Sequence, residues 1–454
     1  MRRFAETLEG RVVLPGTDDY EAARRVYNGL IDKRPDVIAF CDGVEDVRRT
    51  VLFAREHDQL LAIRGSGHNV AGLGTIEGNI LAVLTEMRGV RVDPTSRLAR
   101  VGAGATWGHV DRECQAFGLA TTGGIVHDTG VAGLTLGGGL GWLMGVAGLT
   151  CDNLTAVDIV LADGTVVCAD DDSDPDLMWA LRGGGGNFGV VTSFEYRLHE
   201  VGEVQAGSLR FPLSNAVAAL NVYASFAEEC PDAITVSPSL MTNESLGPHV
   251  SLDVCSLLGA AETDARTAAF NALSGLAASS VRPMTYCDWQ KSMRDPYRRG
   301  RRSYWKSLSM ASLSRGVIEA LVAGLDTAPS PHALITVDHV HGLAQRVSAG
   351  ATAYGERLPF VVLINANWDD PKADRANVDW ARELFSAIVE ISDSTTAYIN
   401  YLDSDDSDRL ASAYGTNWER LRRIKTTCDP SNFFRVNQNI LPITAAETRR
   451  GAVS

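Results

Sequence analysis

Arg64-Gly-Ser-Gly-His-Asn-Val-Ala-Gly72 directly follows the apolar run Leu60-Leu-Ala-Ile63. Glycines around one histidine at the end of a predicted strand favour a turn whose backbone N–H groups stay unpaired, so that a ligand can approach the main chain closely. Such a turn suits a phosphate-bearing cofactor and would hold the His68 imidazole beside it. An ordinary glycine-rich loop with an exposed histidine is the alternative interpretation of the stretch.

Two further glycine-rich blocks strengthen the cofactor interpretation. They are Thr121-Thr-Gly-Gly-Ile-Val-His-Asp-Thr-Gly-Val-Ala-Gly-Leu-Thr-Leu-Gly-Gly-Gly-Leu-Gly-Trp142 and Arg182-Gly-Gly-Gly-Gly-Asn-Phe-Gly-Val-Val191. Glycine loses more conformational entropy on ordering than any other residue, so three such blocks favour close backbone approach to a ligand. The blocks contain no lysine, which agrees with a diphosphate held by backbone N–H groups.

Composition excludes several classes of protein. The chain has 454 residues, 45% of them hydrophobic, and a net charge of −14, which argues against nucleic acid or an anionic membrane as the main partner. No apolar run reaches the roughly 18–20 residues of a membrane span, and no signal peptide is recognisable, so we expect a cytoplasmic protein. Eight scattered cysteines without CxxC spacing predict neither a metal site nor a disulfide framework. The oligomeric state cannot be read from the sequence.

Hydrophobic periodicity predicts an α+β fold. The first part should contain a strand–helix–strand run and, through Asp163-Gly164, an antiparallel hairpin. Beyond about residue 205, strands alternate with long amphipathic helices that should cover one antiparallel sheet. The predicted strands are 37–40, 60–63, 79–84, 98–101, 155–161, 165–169, 234–240, 249–255, 333–339 and 360–367, and the predicted helices are 46–57, 216–229, 262–274, 315–325, 378–391, 406–414 and 418–426, before an extended tail at 433–442.

Five motifs in order carry a family resemblance. They are Arg64-Gly-Ser-Gly-His68, Thr129-Gly-Val-Ala-Gly-Leu-Thr-Leu-Gly-Gly-Gly-Leu-Gly141, Gly148-Leu-Thr-Cys-Asp-Asn-Leu154, Trp179-Ala-Leu-Arg-Gly-Gly-Gly-Gly-Asn-Phe-Gly189 and Asn437-Gln-Asn-Ile440. Together they closely resemble the berberine-bridge-enzyme-like branch of the vanillyl-alcohol-oxidase family of FAD-linked oxidases. The resemblance covers essentially the whole chain.

The resemblance implies a two-part PCMH-type FAD-binding domain and a substrate domain whose sheet covers the isoalloxazine ring. We expect the FAD-binding domain over residues 1–203, the substrate domain over 204–403, and a return to the FAD-binding domain over 404–454. His68 would be bonded to the flavin, as a neutral imidazole is a competent nucleophile near neutral pH. The expected cofactor residues are Arg64, Gly65, Ser66, Gly67, His68, Asn69, Gly72, Asp128, Thr129, Gly133, Gly138, Val191, Asn437 and Asn439.

A second flavin link is not expected. Many members of the family carry a cysteine four residues before the glycine matching Gly130, and Val126 occupies that position here. The resemblance therefore implies FAD attached by one bond. Cys151 fits a packed core thiol better than a ligand, and His127 could either reach the pocket or lie on the surface.

The stretch Ala397-Tyr-Ile-Asn-Tyr-Leu-Asp403 supplies the candidate base. Its alternation predicts a strand with Tyr398 and Tyr401 on opposite faces, and the resemblance assigns the catalytic role to Tyr401 ahead of Tyr398. Two core tyrosines with satisfied hydroxyls are the alternative. Asn437 and Asn439 should share one face of the tail, with an edge-strand role as the alternative for Asn437. In a third segment, Trp305, Lys306 and Met310 could form a pocket wall or belong to a plain amphipathic strand.

These features favour an FAD-dependent oxidase that transfers a hydride to flavin N5 from the carbon bearing a hydroxyl or amine of a small or natural-product-like molecule, as in secondary metabolism. O₂ would reoxidise the flavin and give H₂O₂. The alternatives are a flavin dehydrogenase with another electron acceptor and a flavin-containing scaffold without net redox turnover. The identity of the substrate cannot be read from the sequence.

Overall fold

The protein is α+β, with two small sheets in its first part and one large antiparallel sheet after them. A computed structural model describes residues 2–293, 297–392, 394–444 and 447. The strands and helices below all belong to this described part of the chain.

The first part of the chain forms a four-stranded and a five-stranded sheet. In the four-stranded sheet β4 pairs in parallel with both β2 and β3, and the order is β1 (Arg11–Val13), β2 (Val37–Phe40), β4 (Ile80–Val83), β3 (Leu61–Arg64). The five-stranded sheet is antiparallel, in the order β5 (Val90–Asp93), β6 (Leu98–Gly102), β10 (Val190–Arg197), β8 (Leu154–Val160), β9 (Val166–Asp170). A two-stranded ribbon joins β7 (Leu119–Ala120) to β11 (His199–Glu200).

The large sheet is antiparallel throughout and has eight strands. Its order is β15 (Ala278–Ser279), β12 (Val204–Pro212), β14 (Gly247–Ser256), β13 (Ile234–Asn243), β18 (Leu334–His339), β19 (Phe360–Trp368), β17 (Arg302–Met310), and β16 (Arg282–Met284) pairs with β12 beside β15. Three long helices pack on one face of it and enclose a separate hydrophobic core. These helices are α8 (Leu213–Glu228), α11 (Arg315–Asp326) and α13 (Asp374–Ser392).

The remaining helices are mostly short and flank the sheets or the glycine-rich loops. They are α1 (Arg2–Ala5), α2 (Tyr20–Arg24), α3 (Val44–Glu56), α4 (Trp107–Gln115), α5 (Val131–Leu136), α6 (Met144–Ala147), α7 (Pro175–Leu181), α9 (Ala260–Asn271), α10 (Tyr286–Ser292), α12 (Gly342–Arg346), α14 (Leu410–Tyr414) and α15 (Trp418–Cys428). Single 3₁₀ turns occupy Thr150–Asn153, Pro371–Ala373, Ile399–Tyr401, Ser407–Arg409 and Gly415–Asn417.

The C-terminal segment packs back on the first part of the chain. Leu421 and Ile424 of α15, with Phe434 and Ile440 of the tail, belong to the same core as the five-stranded sheet. Lys425 anchors this return: its fully buried ammonium donates hydrogen bonds to the Asn187 and Phe434 carbonyls and pairs with Asp429 at 2.7 Å.

The α+β prediction is confirmed, and each predicted strand and hairpin up to residue 367 overlaps an observed strand. The predicted strand over 397–403 is wrong, because Ile399–Tyr401 is a 3₁₀ turn. The tail over 433–442 is irregular and joins no sheet. Within the described residues, no helix is both long and apolar enough to cross a membrane.

Candidate active site

A cavity of about 300 Å³ lies between the glycine-rich loops and the uncovered face of the large sheet. We call it the central cavity. Its wall combines all three glycine-rich blocks with Tyr297, Trp305 and Leu363 of the substrate side and with two C-terminal stretches. The contributing segments are residues 63–69, parts of 124–140 and 185–191, residues 398–401, and residues from 434 to 438. Segments far apart in sequence therefore meet around one space.

One end of the central cavity is lined by unpaired backbone donors. The N–H groups of residues 65–69 donate to no acceptor among the described residues. Gly67 has φ +78°, a conformation that glycine adopts without strain. The Arg64 guanidinium donates to the carbonyls of Ala23 and Arg25, which fixes the start of the loop. Unsatisfied N–H groups in such a turn fit the oxygens of a diphosphate.

The second glycine-rich block lies directly against this loop. The Gly130 N–H donates to Ser66 Oγ at 2.8 Å. A Cβ at Gly130 would lie 2.6 Å from the same Oγ, so any larger residue would push the two loops apart. A Cβ at Gly133, in contrast, would meet nothing within 4 Å and would point into open space. The two glycines therefore serve different purposes. Gly130 allows the two loops to touch, and Gly133 leaves space free in the cavity.

His68 is held between an aromatic ring and a carboxylate. Its ring stacks on Tyr27 with centroids 4.5 Å apart, and its Nε2 atom lies 3.2 Å from Asp128 Oδ1. Burial lowers the pKa of His68 and outweighs the opposing effect of Asp128, so the imidazole is neutral near neutral pH. No hydrogen bond reaches its Nδ1 atom from any described residue. The arrangement leaves one neutral ring nitrogen available beside the central cavity.

Val126 is 4% exposed and lies on the cavity wall near His68. No cysteine of the described residues lines this wall. Cys151 is buried in a cluster with Leu140 and Tyr398, and burial raises the pKa of its thiol well above the ordinary value. His127 is half-buried, lies off the wall, and accepts the Gly108 N–H through its carbonyl.

Tyr398 and Tyr401 line the same cavity instead of opposite faces of a strand. Because a 3₁₀ turn replaces the predicted strand, their rings approach to 4.8 Å edge to face. The Tyr398 oxygen accepts hydrogen bonds from the Gly139 N–H at 3.0 Å and from Asn400 at 2.8 Å. The Tyr401 hydroxyl donates to Asp338 Oδ2 at 3.1 Å. The two tyrosines thus have different partners. Tyr398 connects the Gly139 loop to Asn400, whereas Tyr401 is hydrogen-bonded to a carboxylate.

Asp338 is a buried carboxyl in β18, 2% exposed. Burial raises its pKa to about 6, and the hydrogen bond from Tyr401 opposes part of that rise. Burial also raises the pKa of the Tyr401 phenol well above its ordinary value. At neutral pH the pair therefore consists of an ionised carboxylate and a protonated phenol that can pass its proton back.

The substrate side of the wall follows the alternation of β17. Trp305 faces the cavity, where its ring meets Tyr401 at 5.5 Å. Lys306 and Met310 point to the opposite face, since successive side chains of a strand alternate. Met310 belongs to the core beneath the helices, and Lys306 pairs with Asp405 and Asp406 at 2.8 Å each. Of the three predicted wall residues, Trp305 alone lies on the wall.

Most of the expected cofactor residues line the central cavity: Arg64, Gly65, Ser66, Gly67, His68, Asn69, Thr129, Gly133, Val191 and Asn437. Gly72, Asp128, Gly138 and Asn439 lie off its wall. Gly72 (φ +69°) packs against Ile31 and Gly138 (φ +114°) against Tyr354, so both are explained by backbone conformation and close packing. Asn437 and Gln438 both line the cavity, contrary to the expected alternation, because the tail is not a strand.

Several residues on or next to the cavity wall were missed in the sequence. Tyr27 and Arg299 have no motif around them, yet one stacks on His68 and the other donates from its guanidinium to the Ser66 carbonyl at 2.9 Å. Asn400 donates to the Leu134 carbonyl and contacts Gly137 closely. Asp338 had a detectable signal, because it directly follows the strand-like run Leu334-Ile-Thr-Val337, and a carboxylate in a buried strand needs a partner.

Comparison with known proteins agrees with this site. Residues 35–170 match the family model described as "FAD binding domain", and residues 397–441 match "Berberine and berberine like". An uncharacterized FAD-linked oxidoreductase of Bacillus subtilis (strain 168) is 30% identical over 454 residues, covering 96% of this chain and 98% of the relative. (R)-6-hydroxynicotine oxidase of Paenarthrobacter nicotinovorans is 28% identical, over 96% of this chain and 97% of its own.

Among solved structures, 6-hydroxy-D-nicotine oxidase from Arthrobacter nicotinovorans superposes with a TM-score of 0.88 at 28% identity, over 95% of this chain and 98% of its own. The fold and the cavity define an FAD-binding oxidoreductase. The chain belongs to the berberine-bridge-enzyme-like family of FAD-linked oxidoreductases.

Proposed function

We propose that the protein is an FAD-dependent oxidase acting on a hydroxyl or amine of a small, natural-product-like molecule. An alcohol R₂CHOH and O₂ would give R₂C=O and H₂O₂. The observation that carries the proposal is the Tyr401–Asp338 pair, in which a phenol on the cavity wall is hydrogen-bonded to a buried carboxylate, while the glycine-rich loop with its unpaired N–H groups lines the same cavity. FAD, when bound, supplies the two-electron acceptor.

The proposed role of the pair is to remove the substrate proton. Tyr401 faces the cavity, and its own proton can pass to Asp338 as the phenol oxygen takes the proton of the substrate hydroxyl or ammonium. The buried carboxylate is what makes this feasible, because a tyrosine alone has a pKa near 10. Tyr398 holds the Gly139 loop and Asn400 in place, and we assign it a positioning role.

We further propose that the loop over 64–69 holds the diphosphate of FAD and that segments 1–203 and 404–454 together form its domain, with 204–403 forming the substrate domain. The free N–H groups of residues 65–69 and the open space beside Gly133 support this arrangement. Trp305, Tyr297 and Leu363 would lie on the substrate side, where their rings and methyl groups exclude water from the reacting carbon.

We propose that His68 is the single covalent link to the flavin. The supporting observations are its neutral, stacked imidazole with a free Nδ1, and the apolar Val126 where a second link would need a thiol. Acid precipitation should leave the flavin on the protein, and a digest should yield one flavin peptide, containing His68. His68→Ala should release its flavin into the supernatant. A flavin released equally from the unaltered protein would refute the link.

The oxidase itself is tested with a panel of sugars, amines and phenolic alcohols under anaerobic conditions. A substrate should bleach the visible flavin band, and admitting air should restore it within seconds while H₂O₂ accumulates. Tyr401→Phe should slow bleaching by roughly 10²-fold or more if the phenol takes part in proton removal, whereas Tyr304→Phe, on the helix-covered face, is the matched control. If the flavin band returns slowly in air, but the reduced flavin reacts fast with a quinone, the protein is a dehydrogenase instead. A flavin that no substrate bleaches would favour a scaffold role.

A further inference from the structure

A second group of chemically active side chains lies outside the wall of the central cavity, around the C-terminal end of β18. Cys230 follows α8, His339 ends β18, and His341 immediately precedes α12. One ligand atom from each of the three side chains lies within 4.8 Å of the other two. His339 and His341 are 4% and 3% exposed, and their rings stack with centroids 4.9 Å apart.

The hydrogen bonds around His341 identify which of its nitrogens carries the proton. Thr235 Oγ1 donates its hydrogen to the Trp142 carbonyl at 2.7 Å, so towards His341 it can only accept. The Nε2 atom of His341 lies 3.2 Å from that oxygen and must therefore carry the hydrogen. The Nδ1 atom then holds a bare lone pair, and it is buried with no hydrogen-bond partner among the described residues.

His339 repeats the pattern, because its Nδ1 atom is also buried and without a hydrogen-bond partner in the described part of the chain. Leaving a buried polar atom unpaired is costly, so two of them on stacked rings need an explanation. Burial lowers the pKa of His339 to about 3 and of His341 to about 4, which keeps both rings neutral. The charged groups next to His341 are Asp232 and Arg346, which pair with each other at 2.5 Å.

We propose that Cys230, His339 and His341 form a binding site for a divalent transition-metal ion, with Zn²⁺ as the fitting probe. Two imidazoles and a thiolate are ligands that Zn²⁺ accepts in a tetrahedral site, with a fourth position left for water. The hydrogen bond from His341 to Thr235 is the kind of outer contact that orients metal-bound histidines. The sequence showed no CxxC spacing here because the ligands come from two distant segments, one before β13 and one around the end of β18, which the pairing of these strands brings together.

Binding would rearrange the site only locally. The Cys230 Sγ–H now donates to the Ile234 carbonyl at 3.1 Å, and burial raises the pKa of the thiol to about 12. Metal binding would displace that proton into solvent and form the metal–sulfur bond. The ligand atoms would also draw together by about 1 Å, because Zn–S and Zn–N bonds are about 2.3 Å and 2.0–2.1 Å long.

The site would also join the two halves of the molecule. His341 lies directly against Gly145 of α6, where an added Cβ would collide with its ring. Helix α6 follows the second glycine-rich block, whereas Cys230 and His339 belong to the large sheet and its helices. A metal ion here would therefore stiffen the contact between the glycine-rich loops and the substrate side, without touching the central cavity.

The test uses the full chain with its flavin, freed of any histidine tag. It is dialysed against Zn²⁺ and then against metal-free buffer, and zinc per chain is measured by mass spectrometry. We expect one zinc per chain. Loss even of an outer-shell partner weakens metal affinity by about 10–100-fold, so Cys230→Ser and His341→Gln should lose zinc at least as strongly. Cys168→Ser, an exposed cysteine outside the group, should keep it.

A wild-type chain without stoichiometric zinc, or zinc retained in Cys230→Ser as fully as in Cys168→Ser, would overturn the site. If the two ligand variants do not fold, Co²⁺ titration of the wild-type holoenzyme decides. Tetrahedral, thiolate-bound Co²⁺ should absorb at wavelengths beyond the flavin bands, saturate at one equivalent and disappear when Zn²⁺ is added. Added Zn²⁺ should also raise Tm, because an ion that binds the native state stabilises it. The absence of this Co²⁺ absorption would refute the proposal.

Discussion

Tyr401 and Asp338 are joined through one hydrogen bond, from the phenol to a carboxylate that burial has made a much better proton acceptor than a surface aspartate. The carboxyl lies behind the cavity wall, and the phenol lies on it. In the proposed mechanism, proton removal at the wall would therefore be governed by a group that lies off the wall. This separation allows the two residues to be tested independently.

The rate of flavin reduction should depend on the ionisation of Asp338. Because its pKa is about 6, the rate should fall as pH drops through about 6, where the carboxyl becomes protonated and can no longer accept the Tyr401 proton. Asp338→Asn should lower the reduction rate by roughly 10²-fold and abolish this acidic limb. Stopped-flow reduction across pH measures both. Asp253 is a buried carboxyl on β14 and serves as the control. Asp253→Asn should retain the fall in reduction rate at acidic pH.

The same substitution should stabilise the protein at alkaline pH. A carboxyl whose pKa rises from 3.8 to about 6 on folding contributes stability that is fully present below pH 3.8 and is lost as pH rises from 3.8 to about 6. At 1.36 kcal/mol per unit, Asp338→Asn should gain on the order of 3 kcal/mol over the wild type at pH 8 and about half of that at pH 5. Denaturant unfolding at the two pH values tests this; equal gains at both would contradict it.

Two glycine substitutions should separate loop contact from cofactor space. Gly130→Ala pushes against Ser66, so it should lower the stability of the flavin-free protein and also its flavin content. Gly133→Ala projects into open space within α5, so it should leave the flavin-free protein unchanged or more stable by up to about 1 kcal/mol. Gly133→Ala should nevertheless lower flavin content. Thermal unfolding with the flavin-to-protein absorbance ratio measures both, and full flavin occupancy in Gly133→Ala would contradict the placement.

Lys425 should be essential for the C-terminal return. Lys425→Met leaves the buried Asp429 carboxylate without its cation, which typically costs about 3–5 kcal/mol. It also frees the Phe434 carbonyl beside the cavity wall, so flavin content should fall with stability. Arg423→Met, on the exposed side of the same helix, is the control and should change neither. Unfolding curves and flavin absorbance give the result.

Val126→Cys should create a second flavin attachment, because Val126 lies on the cavity wall. Among the described residues, no other cysteine lines that wall. Peptide mapping should then find flavin on a peptide containing residue 126 as well as on that of His68. His127→Cys, one position later and off the cavity wall, is the matched control. A Val126→Cys protein with flavin on the His68 peptide alone would show that the geometry does not permit the second bond.

The parts of the site that sequence analysis found are those encoded locally. The glycine-rich blocks are recognisable in the sequence because backbone conformation and close approach require glycine, as at Gly67 and Gly130. Tyr401 was found through a motif, although its segment forms a 3₁₀ turn and the alternation rule placed Tyr398 on the wrong face. Periodicity fails where a chain turns within one or two residues.

The residues that were missed are those brought in by tertiary contacts. Tyr27 reaches the cavity wall and Arg299 reaches the Ser66 carbonyl from segments that carry no motif, and the contact of Asn400 with the Leu134 carbonyl is likewise long-range. The metal-binding group likewise escaped the cysteine spacing rules because strand pairing between β13 and β18, over a separation of about one hundred residues, brings it together. A single sequence does not show which distant strands pair, whereas the structure does.

The central cavity takes part of its wall from residues 434 to 438, far beyond the glycine-rich loop in the chain. On the ribosome, that loop, the first two sheets and the whole substrate side emerge before these residues do. The chamber therefore cannot close around its cofactor until residue 438 has left the exit tunnel. Flavin binding that needs the complete wall would therefore come late in synthesis, and a chain that ends before residue 434 would lack this part of the wall.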